Sequence, residues 1–335
     1  MMALLLTADM GGTKTVLALW PAEDNAPQGG QPLFRQKYDS RGITSFEDSV
    51  LRFLQEAQAM ETNIRAACFC LAGTVVGGRC TLPNLNLTLD LEAIEQKLAF
   101  IPRISIVNDL EALGHGLNWL KPKDLLLLKP GKLSSYEDTR GLTKAILAPG
   151  TGLGQAVALA GGQICASEGP HADFAPRSEK QWRLWQFLHR KFGHVSWERV
   201  LSGAGLQNLY EFLQTEKDGA PNFILAEPLP TPAEITTRAA EDPHSLSAEA
   251  LDLFTALLGA EAGNMALRHL AFGGVYLAGG IPPRIIAQMK EDLFIEAFAD
   301  KGRLSSYLDG IPVYVVLEED APLFGATTLA RKMLN

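Results

Sequence analysis

Two stretches of the chain share one hydrophobic pattern, in which two apolar runs flank a glycine turn. Residues 4–20 read L-L-L-T-A-D-M-G-G-T-K-T-V-L-A-L-W, and residues 144–160 read K-A-I-L-A-P-G-T-G-L-G-Q-A-V-A-L-A. Apolar, strand-forming residues on both sides of a Gly/Thr tip predict a hairpin in each stretch. Glycine at the tip favours positive φ angles and a close approach of the backbone to a phosphate. The repeat indicates two similar domains that face each other across a cleft.

The rest of the chain alternates strand patterns with helical patterns. Short apolar runs predict buried strands at residues 66–71, 104–107, 275–278 and 313–317. Apolar residues at helical spacing predict helices at residues 43–60, 110–120, 178–192, 245–270 and 322–334, and after Ser202-Gly203. Thr44 or Ser45 is the candidate N-cap of the first helix. Residues 23–32 and 218–232 are rich in turn-forming residues and predict loops.

The length and composition predict a globular protein of two domains. The chain has 335 residues, of which 47% are hydrophobic and 20% charged. That length exceeds what one ordinary hydrophobic core supports. We expect a small α/β domain formed by residues 1–109 with 321–335, and a large α/β domain with helical insertions formed by residues 110–320.

Charge and targeting signals narrow the classes of function. The net charge is −8, so the chain lacks the basic surface expected for binding nucleic acid or an anionic membrane. The N-terminus carries no basic segment before its short apolar run, and no run approaches the roughly 18 apolar residues of a membrane span. We therefore expect a cytoplasmic protein with neither nucleic acid nor membrane as partner.

The four cysteines have two interpretations. Cys68 and Cys70 lie on the same side of a predicted strand, which would suit a metal or redox site. The tighter Cys/His cluster of a metal site is missing, so buried free thiols in a reducing compartment are favoured.

The first glycine turn joins an acid to potential phosphate ligands. Asp9 ends the first predicted strand, and Gly11, Gly12 and Thr13 follow it. This order can place a carboxylate near Mg²⁺ and N–H donors near a phosphate. A tight hairpin without ligand is the alternative.

The second turn, Gly150, Thr151 and Gly152, fits neither the dinucleotide fingerprint G-x-G-x-x-G nor the P-loop G-x-x-x-x-G-K-[ST]. What remains is a strand–turn–strand nest for a triphosphate, in which Thr151 offers a hydroxyl. Gly279 and Gly280 follow a predicted strand and can let an adenine ring lie against the backbone, or form a plain turn.

Asn108 and Asp109 stand where a predicted parallel strand ends and a helix begins. Ligands of open α/β sheets bind at this end of the strands. Asp109 can accept a proton from an alcohol that attacks a γ-phosphate. It can equally cap the helix that follows.

The remaining polar candidates suit the recognition of a small polyol. Glu168 and His171 lie three residues apart in a Gly/Pro-interrupted loop, S-E-G-P-H-A-D-F-A-P, where no helix explains the spacing. Glu198, in G-H-V-S-W-E-R-V-L-S-G, can bind a hydroxyl or act as the acid of a capping box.

Taken together, these segments resemble the bacterial-type glucokinases, the hexokinase branch of the actin/Hsp70-like ATPase superfamily. The ordered match covers nearly the whole chain. D-M-G-G-T-K-T is similar to the family's first phosphate motif, A-P-G-T-G-L-G to its second, and V-N-D-L-E-A to its catalytic segment. G-G-V-Y-L-A-G-G-I-P-P-R resembles its adenosine segment, and the segments around Glu168 and Glu198 resemble its sugar site.

The resemblance implies a two-domain, actin-like (ribonuclease H-like) α/β fold with a ligand cleft, and ATP-dependent phosphorylation of glucose in glycolysis. It implies Asp109 as general base on the sugar 6-hydroxyl, and Mg²⁺ held by Asp9 through water. The other implied sugar ligands are Asn84 (with Asn86 as a rival), Asn108, Glu168, His171 and Glu198. The implied nucleotide contacts are Asp9, Gly11, Gly12, Thr13, Gly150, Thr151, Gly152, Gly279 and Gly280. The family further implies a homodimer.

One departure points towards the related ROK sugar kinases, in which D-x-G-G-T-K is commoner. The chain lacks that family's Cys-rich zinc segment and helix-turn-helix extension, and its glycine directly follows Glu168 rather than directly preceding His171. Three alternatives stay open at this point: a kinase for another hexose, a sugar-binding regulator without turnover, and an actin-like or chaperone-type ATPase. The sequence leaves the phosphoryl donor open between ATP, polyphosphate and ADP, although the resemblance favours ATP.

Overall fold

The computed structural model describes residues 2–23, 31–60, 63–82, 85–133, 135–218 and 228–334. Asn84 and most of both predicted loops, at 23–32 and 218–232, lie outside the described residues. The chain divides into two compact units, Met1–Asp124 with Glu318–Asn335 and Leu125–Leu317. Both are mixed α/β.

The strands of the described chain are β1 (Ala3–Met10), β2 (Lys14–Pro21), β3 (Phe34–Asp39), β4 (Asn63–Leu71), β5 (Val75–Val76), β6 (Arg79–Leu82), β7 (Leu87–Asp90), β8 (Ile104–Asn108), β9 (Leu125–Lys129), β10 (Lys144–Pro149), β11 (Leu153–Ala158), β12 (Ile164–Ser167), β13 (Val275–Leu277) and β14 (Val313–Val316). Its α-helices are α1 (Phe46–Glu56), α2 (Leu91–Lys97), α3 (Asp109–Gly116), α4 (Glu179–Phe192), α5 (Gly203–Asp218), α6 (Pro232–Glu241), α7 (Leu246–His269), α8 (Ile286–Met289), α9 (Asp292–Ala299), α10 (Ser305–Asp309) and α11 (Ala321–Lys332).

The two large sheets repeat one topology. The first has the order β3-β2-β1-β4-β8, and the second has the order β12-β11-β10-β13-β14 with β9 added at its edge. In each, an antiparallel three-strand meander is followed by two parallel strands, β4 and β8 or β13 and β14. The internal repeat predicted from the two hairpins is thus confirmed. A separate small sheet, β5-β6-β7, belongs to the first unit.

Each of the two large sheets is covered by helices that the spacing of apolar residues in the sequence predicts. Helix α1 packs Phe46 and Val50 into the core on one face of the first sheet, and Ser45 caps it by accepting the Asp48 N–H. Leu323 of α11 packs with Cys68 on a second core of this unit. In the second unit the long helix α7 is buried along most of its length, with Ser245 as its N-cap.

Helices α3 and α11 pack together within the first unit, at a distance that only glycine allows. A Cβ on Gly116 would overlap the carbonyl oxygen of Ala321, and a Cβ on Gly325 would overlap that of Ala112. Because α3 is held this way, the first unit extends past Asp109 to Asp124. The unit boundaries, at 124/125 and 317/318, therefore differ from the expected ones at 109/110 and 320/321.

We expect Gly325→Ala to lower the free energy of unfolding by about 3 kcal/mol, because the added methyl group forces two backbones apart. Gly42→Ala is the matched control in the same unit, since nothing lies within 4 Å of its added Cβ. Its effect should stay within about 1 kcal/mol. Urea unfolding of both variants measures the difference, and equal losses would show that the α3–α11 contact is not tight.

Candidate functional site

The carboxyl edge of the first sheet carries two of the predicted site segments. Strands β1, β4 and β8 are parallel, and Asp9 and Asn108 lie at the ends of β1 and β8. One strand separates them, so β1 and β8 are about 10 Å apart at a strand spacing of roughly 4.8 Å. Asp9 and Asp109 therefore belong to the same edge, where ligands of such sheets bind.

Asn108, rather than Asp109, is the N-cap of α3. Its Oδ1 accepts the N–H groups of Leu110 at 2.9 Å and Glu111 at 3.3 Å, and its Nδ2 donates to the carbonyl of Gly73 at 3.0 Å. Asp109 is the first residue of the helix and is half-buried, and its Oδ1 also lies 2.9 Å from the Leu110 nitrogen. The interpretation of Asp109 as the cap is wrong, because the preceding amide makes the capping bonds.

The first glycine turn is a tight hairpin between β1 and β2. The Gly11 N–H donates to the carbonyl of Lys14 at 2.9 Å, so Gly12 and Thr13 form the tip, and Thr13 is exposed. Lys14 forms an ion pair with Glu319 at 2.9 Å. Neither Gly11 nor Gly12 has a positive φ. The prediction that positive φ explains the glycines is therefore wrong at this turn, and the close approach of its backbone to a phosphate stays a prediction.

The Asp9 carboxylate is half-buried, and its surroundings change its acidity. The pKa of Asp9 is raised to about 6, mainly by burial and in part by Asp320, while the nearby Lys14 lowers it. Asp9 is thus ionised at neutral pH in a place that disfavours its charge. A carboxylate that gains from a nearby cation fits Mg²⁺, which is held by one or two carboxylates together with water and phosphate oxygens.

The cysteines next to Asp9 do not suit metal or redox chemistry. The Cys70 thiol is buried and donates to the carbonyl of Ala8 at 2.8 Å. Burial raises the pKa of Cys70 well above its usual range and that of Cys68 to about 12. Both side chains are therefore thiols at neutral pH, whereas disulfide exchange needs the thiolate. Within the described residues, no group of three or more His, Cys, Asp or Glu side chains could hold a metal ion.

The second glycine turn and the Gly279 turn lie side by side in the second unit. The Gly150 N–H closes the turn onto the carbonyl of Gly152 at 2.8 Å. Gly279 has a φ of +82°, and its added Cβ would lie 2.6 Å from the carbonyl oxygen of Pro149. The Ile281 N–H donates to the same oxygen at 3.2 Å. These two predicted nucleotide segments thus meet at the carboxyl ends of the parallel strands β10 and β13.

The two predicted sugar segments also pair with each other in the second unit. The Phe174 N–H donates to the carbonyl of Val195 at 2.9 Å, and the Trp197 N–H to that of Ala172 at 3.1 Å. On this framework Glu168 and His171 form a contact of 3.6 Å, with both side chains more than half exposed. The sequence predicted Glu168 and His171 in one loop and Glu198 in a separate segment, and the structure shows that the two segments pair.

Glu198 contacts the second glycine turn. Its Oε2 accepts the Leu153 N–H at 3.0 Å and would lie 2.7 Å from a Cβ on Gly152. The capping-box interpretation of Glu198 is wrong, because Ser196 is the N-cap of this short 3-10 turn and makes no side-chain capping bond. Gly152 has no positive φ either, so the adjacent carboxylate explains the glycine there.

Sequence reasoning missed a buried network beneath the sugar segments. Glu261 on α7 is fully buried and accepts hydrogen bonds from Gln155 at 2.9 Å, Asn264 at 2.9 Å and Arg268 at 3.1 Å. A Cβ on Gly169 would overlap the side-chain oxygen of Gln155. The network therefore supports the loop next to Glu168. The sequence signal was an acid in an apolar helix with partners three and seven residues later.

The sequence matches the Glucokinase family model over residues 6–333. The chain belongs to the glucokinase family. A glucokinase from Synechocystis sp. is 38% identical, and the alignment covers 97% of each chain. Among solved structures, the glucokinase of an Antarctic psychrotroph superposes with a TM-score of 0.82 at 28% identity, over 98% of this chain and 99% of that one.

A more distant structure shows the fold alone. The ROK-family glucokinase from Streptomyces griseus, solved with glucose and AMPPNP, has a TM-score of 0.63 at 18% identity, over 98% of this chain and 99% of that one. The predicted membership of the bacterial-type glucokinases and the mixed α/β fold are confirmed. Within the described residues, no helix of this glucokinase-family chain is long and apolar enough to cross a membrane.

Proposed function

We propose that this protein transfers the γ-phosphoryl group of ATP to the 6-hydroxyl of glucose, with Asp109 as general base. The observation that carries the proposal is that Asn108 and Asp109, at the end of β8, differ in their roles. Asn108 accepts the N–H groups of Leu110 and Glu111, so the helix terminus keeps a capping side chain when the Asp109 carboxylate, which also accepts from Leu110, takes up a proton. A carboxylate at that edge of the sheet can accept the hydroxyl proton as the oxygen attacks phosphorus.

The sugar ligands we propose are Glu168, His171 and Glu198, together with Asn108 and Asn84. The pairing of the segments that carry the first three supports their grouping. Carboxylates accept from sugar hydroxyls and an imidazole can accept or donate, which suits neighbouring hydroxyls. Asn84 lies outside the described residues. Its rival Asn86 is exposed, with a φ of 49° that a turn residue adopts.

For the nucleotide, we propose that Gly11, Gly12 and Thr13 in one turn, and Gly150, Thr151 and Gly152 in the other, contact phosphate oxygens. Gly279 and Gly280 would contact adenosine, and their position beside Pro149 supports one continuous nucleotide surface in the second unit. The repeated sheet topology supports assignment to the actin-like ATPase superfamily with its ribonuclease H-like folds.

Asp9 is the residue we propose to hold Mg²⁺ through a bound water. The ion supplies positive charge to the phosphate oxygens when bound. The fold raises the pKa of Asp9, Lys14 offsets part of that rise, and the carboxylate is still ionised at neutral pH, where it can face the ion's water. A cytoplasmic location and a homodimer also belong to the proposal, and sedimentation equilibrium tests the dimer.

The experiment that tests the function is sugar-dependent release of ADP from Mg-ATP. Glucose, mannose, fructose, glucosamine and a sugar-free control are run in parallel at pH 7.5. We expect release with glucose well above the other sugars and the control. Faster release with another hexose would keep the reaction and replace the substrate. Sugar binding seen by tryptophan fluorescence without ADP release would instead favour a regulator, and sugar-independent release a simple ATPase.

A further inference from the structure

Glu198 lies at the junction of two segments to which the proposed function gives different ligands. It belongs to the segment of residues 194–198, which pairs with residues 172–174, directly after Glu168 and His171. Its carboxylate nevertheless accepts a hydrogen bond from Leu153, the residue that directly follows the second glycine turn. The Glu198 side chain therefore contacts the turn that is proposed to bind phosphate, and it is also one of the residues proposed to bind the sugar.

The contact is built into the turn from both sides. Gly152 leaves room for the Glu198 carboxylate, because its added Cβ would lie 2.7 Å from Oε2. A few residues later the Gly203 N–H donates to the carbonyl of Gly150 at 2.8 Å, and Ser202 Oγ donates to the main-chain carbonyl of Glu198 at 2.8 Å. The turn is thus held by Glu198 on its outgoing strand and by Gly203 on its first residue.

The opposite side of the turn is held as well. The carbonyl of Pro149 accepts the Ile281 N–H, and Gly279 packs against it. Of the contacts named here, the one from Glu198 is made by a charged side chain, and Glu198 is also one of the proposed sugar ligands. A hydrogen bond to a charged acceptor contributes more than a neutral one, so this contact has the most to lose if the carboxylate moves.

We propose that Glu198 is a positioning residue that couples the two ligands. Its carboxylate fixes the second glycine turn in the conformation that binds phosphates, and a sugar hydroxyl bound to the same carboxylate holds it in place. Sugar and nucleotide then strengthen each other's binding by the same factor, as linkage requires. This inference rests on the proposed function for its sugar half, whereas the support of the turn by Glu198 needs no sugar.

The test measures the Kd of Mg-AMPPNP by calorimetry, with and without saturating glucose. In the wild type, glucose should lower this Kd about 10-fold. In the absence of sugar, Glu198→Ala should raise it about 5- to 10-fold, because the Leu153 N–H loses its acceptor. Glu198→Gln should restore most of the sugar-free affinity, because its amide oxygen can still accept from Leu153. If Glu198 only bound sugar, neither substitution would change the Kd of Mg-AMPPNP measured without glucose.

His171→Ala is the matched control, since its side chain contacts Glu168 and its main-chain carbonyl contacts His194, and neither contact involves the turn. It should weaken glucose binding and keep the wild-type ratio of nucleotide affinities once glucose saturates. Thermal unfolding checks that each variant is folded. Two results would overturn the inference. One is a Kd of Glu198→Ala for Mg-AMPPNP without glucose that lies within two-fold of the wild-type value. The other is a wild-type Kd for Mg-AMPPNP that glucose does not change. Glucose-dependent ADP release in that case leaves the proposed function standing, whereas its absence removes both.

Discussion

Asp109→Asn should lower kcat with glucose by about 10²- to 10⁴-fold, the range that removal of a general base usually costs. The folded state should be nearly unaffected. Asn keeps the size of the side chain and its carbonyl oxygen, and the capping bonds of α3 come from Asn108. Glucose binding should remain measurable, because the other proposed sugar ligands are intact. Steady-state kinetics and thermal unfolding of the same preparation measure both effects.

Asn108→Ala is the comparison variant, in which a loss of stability accompanies weaker glucose binding, because Asn108 is both the N-cap of α3 and a proposed sugar ligand. It removes the acceptor for Leu110 and Glu111 and the donor to Gly73, so it should cost about 1 kcal/mol or more of stability. Asn108→Asp keeps an N-cap acceptor and should recover part of that loss. Near-normal turnover of Asp109→Asn would refute the assignment of the base, whatever the stabilities show.

Asp9→Asn should combine a large loss of activity with a gain in stability at neutral pH. The fold raises the pKa of Asp9 from 3.8 to about 6, mainly by burial, so the folded state disfavours the ionised form. The resulting destabilisation is fully present above pH 6 and is relieved as the pH falls from about 6 towards 3.8. Removing the charge should therefore raise the free energy of unfolding at pH 7.5 by on the order of 1–2 kcal/mol.

The measurement compares urea unfolding of wild type and Asp9→Asn at pH 7.5 and pH 4.5. The stability difference should be largest at pH 7.5 and shrink at pH 4.5. Wild-type kcat/KM should fall as the pH drops below about 6, where Asp9 becomes protonated. Asp39→Asn is a control of opposite sign, because hydrogen bonds from Arg41 lower the pKa of that carboxyl. If the stability difference between wild type and Asp9→Asn did not change with pH, the fold would not disfavour the ionised form of Asp9.

The sequence predicts the parts of the fold that depend on local pattern. Both hairpins lie where the apolar runs and glycine tips indicated, as β1–β2 and β10–β11. The helix predicted at 245–270 is α7, since Ser245 begins it and its apolar residues continue to the end. The resemblance to the glucokinases also predicted the family correctly, because the motifs and their order along the chain can be read from the sequence alone.

Features that depend on distant partners were not predicted. Strand β3 reads F-R-Q-K-Y-D and is mostly exposed, so it has no apolar alternation and forms by pairing with β2. The bond from Glu198 to Leu153 joins residues 45 positions apart. No local spacing indicates such a contact. The extension of the first unit past Asp109 likewise depends on glycine contacts between α3 and α11.

The first unit is assembled from both ends of the chain, and this has a consequence for biosynthesis. Its core around Leu5 and Cys68 is completed by Leu323 and Ala326 of α11. The continuous second unit, Leu125–Leu317, has all its strands in place before α11 leaves the ribosome. The apolar face of β1 and β4 against which α11 packs therefore lacks this helix while the entire second unit is translated. Chaperones that shield apolar surface on nascent chains should engage this face first and release it when α11 arrives.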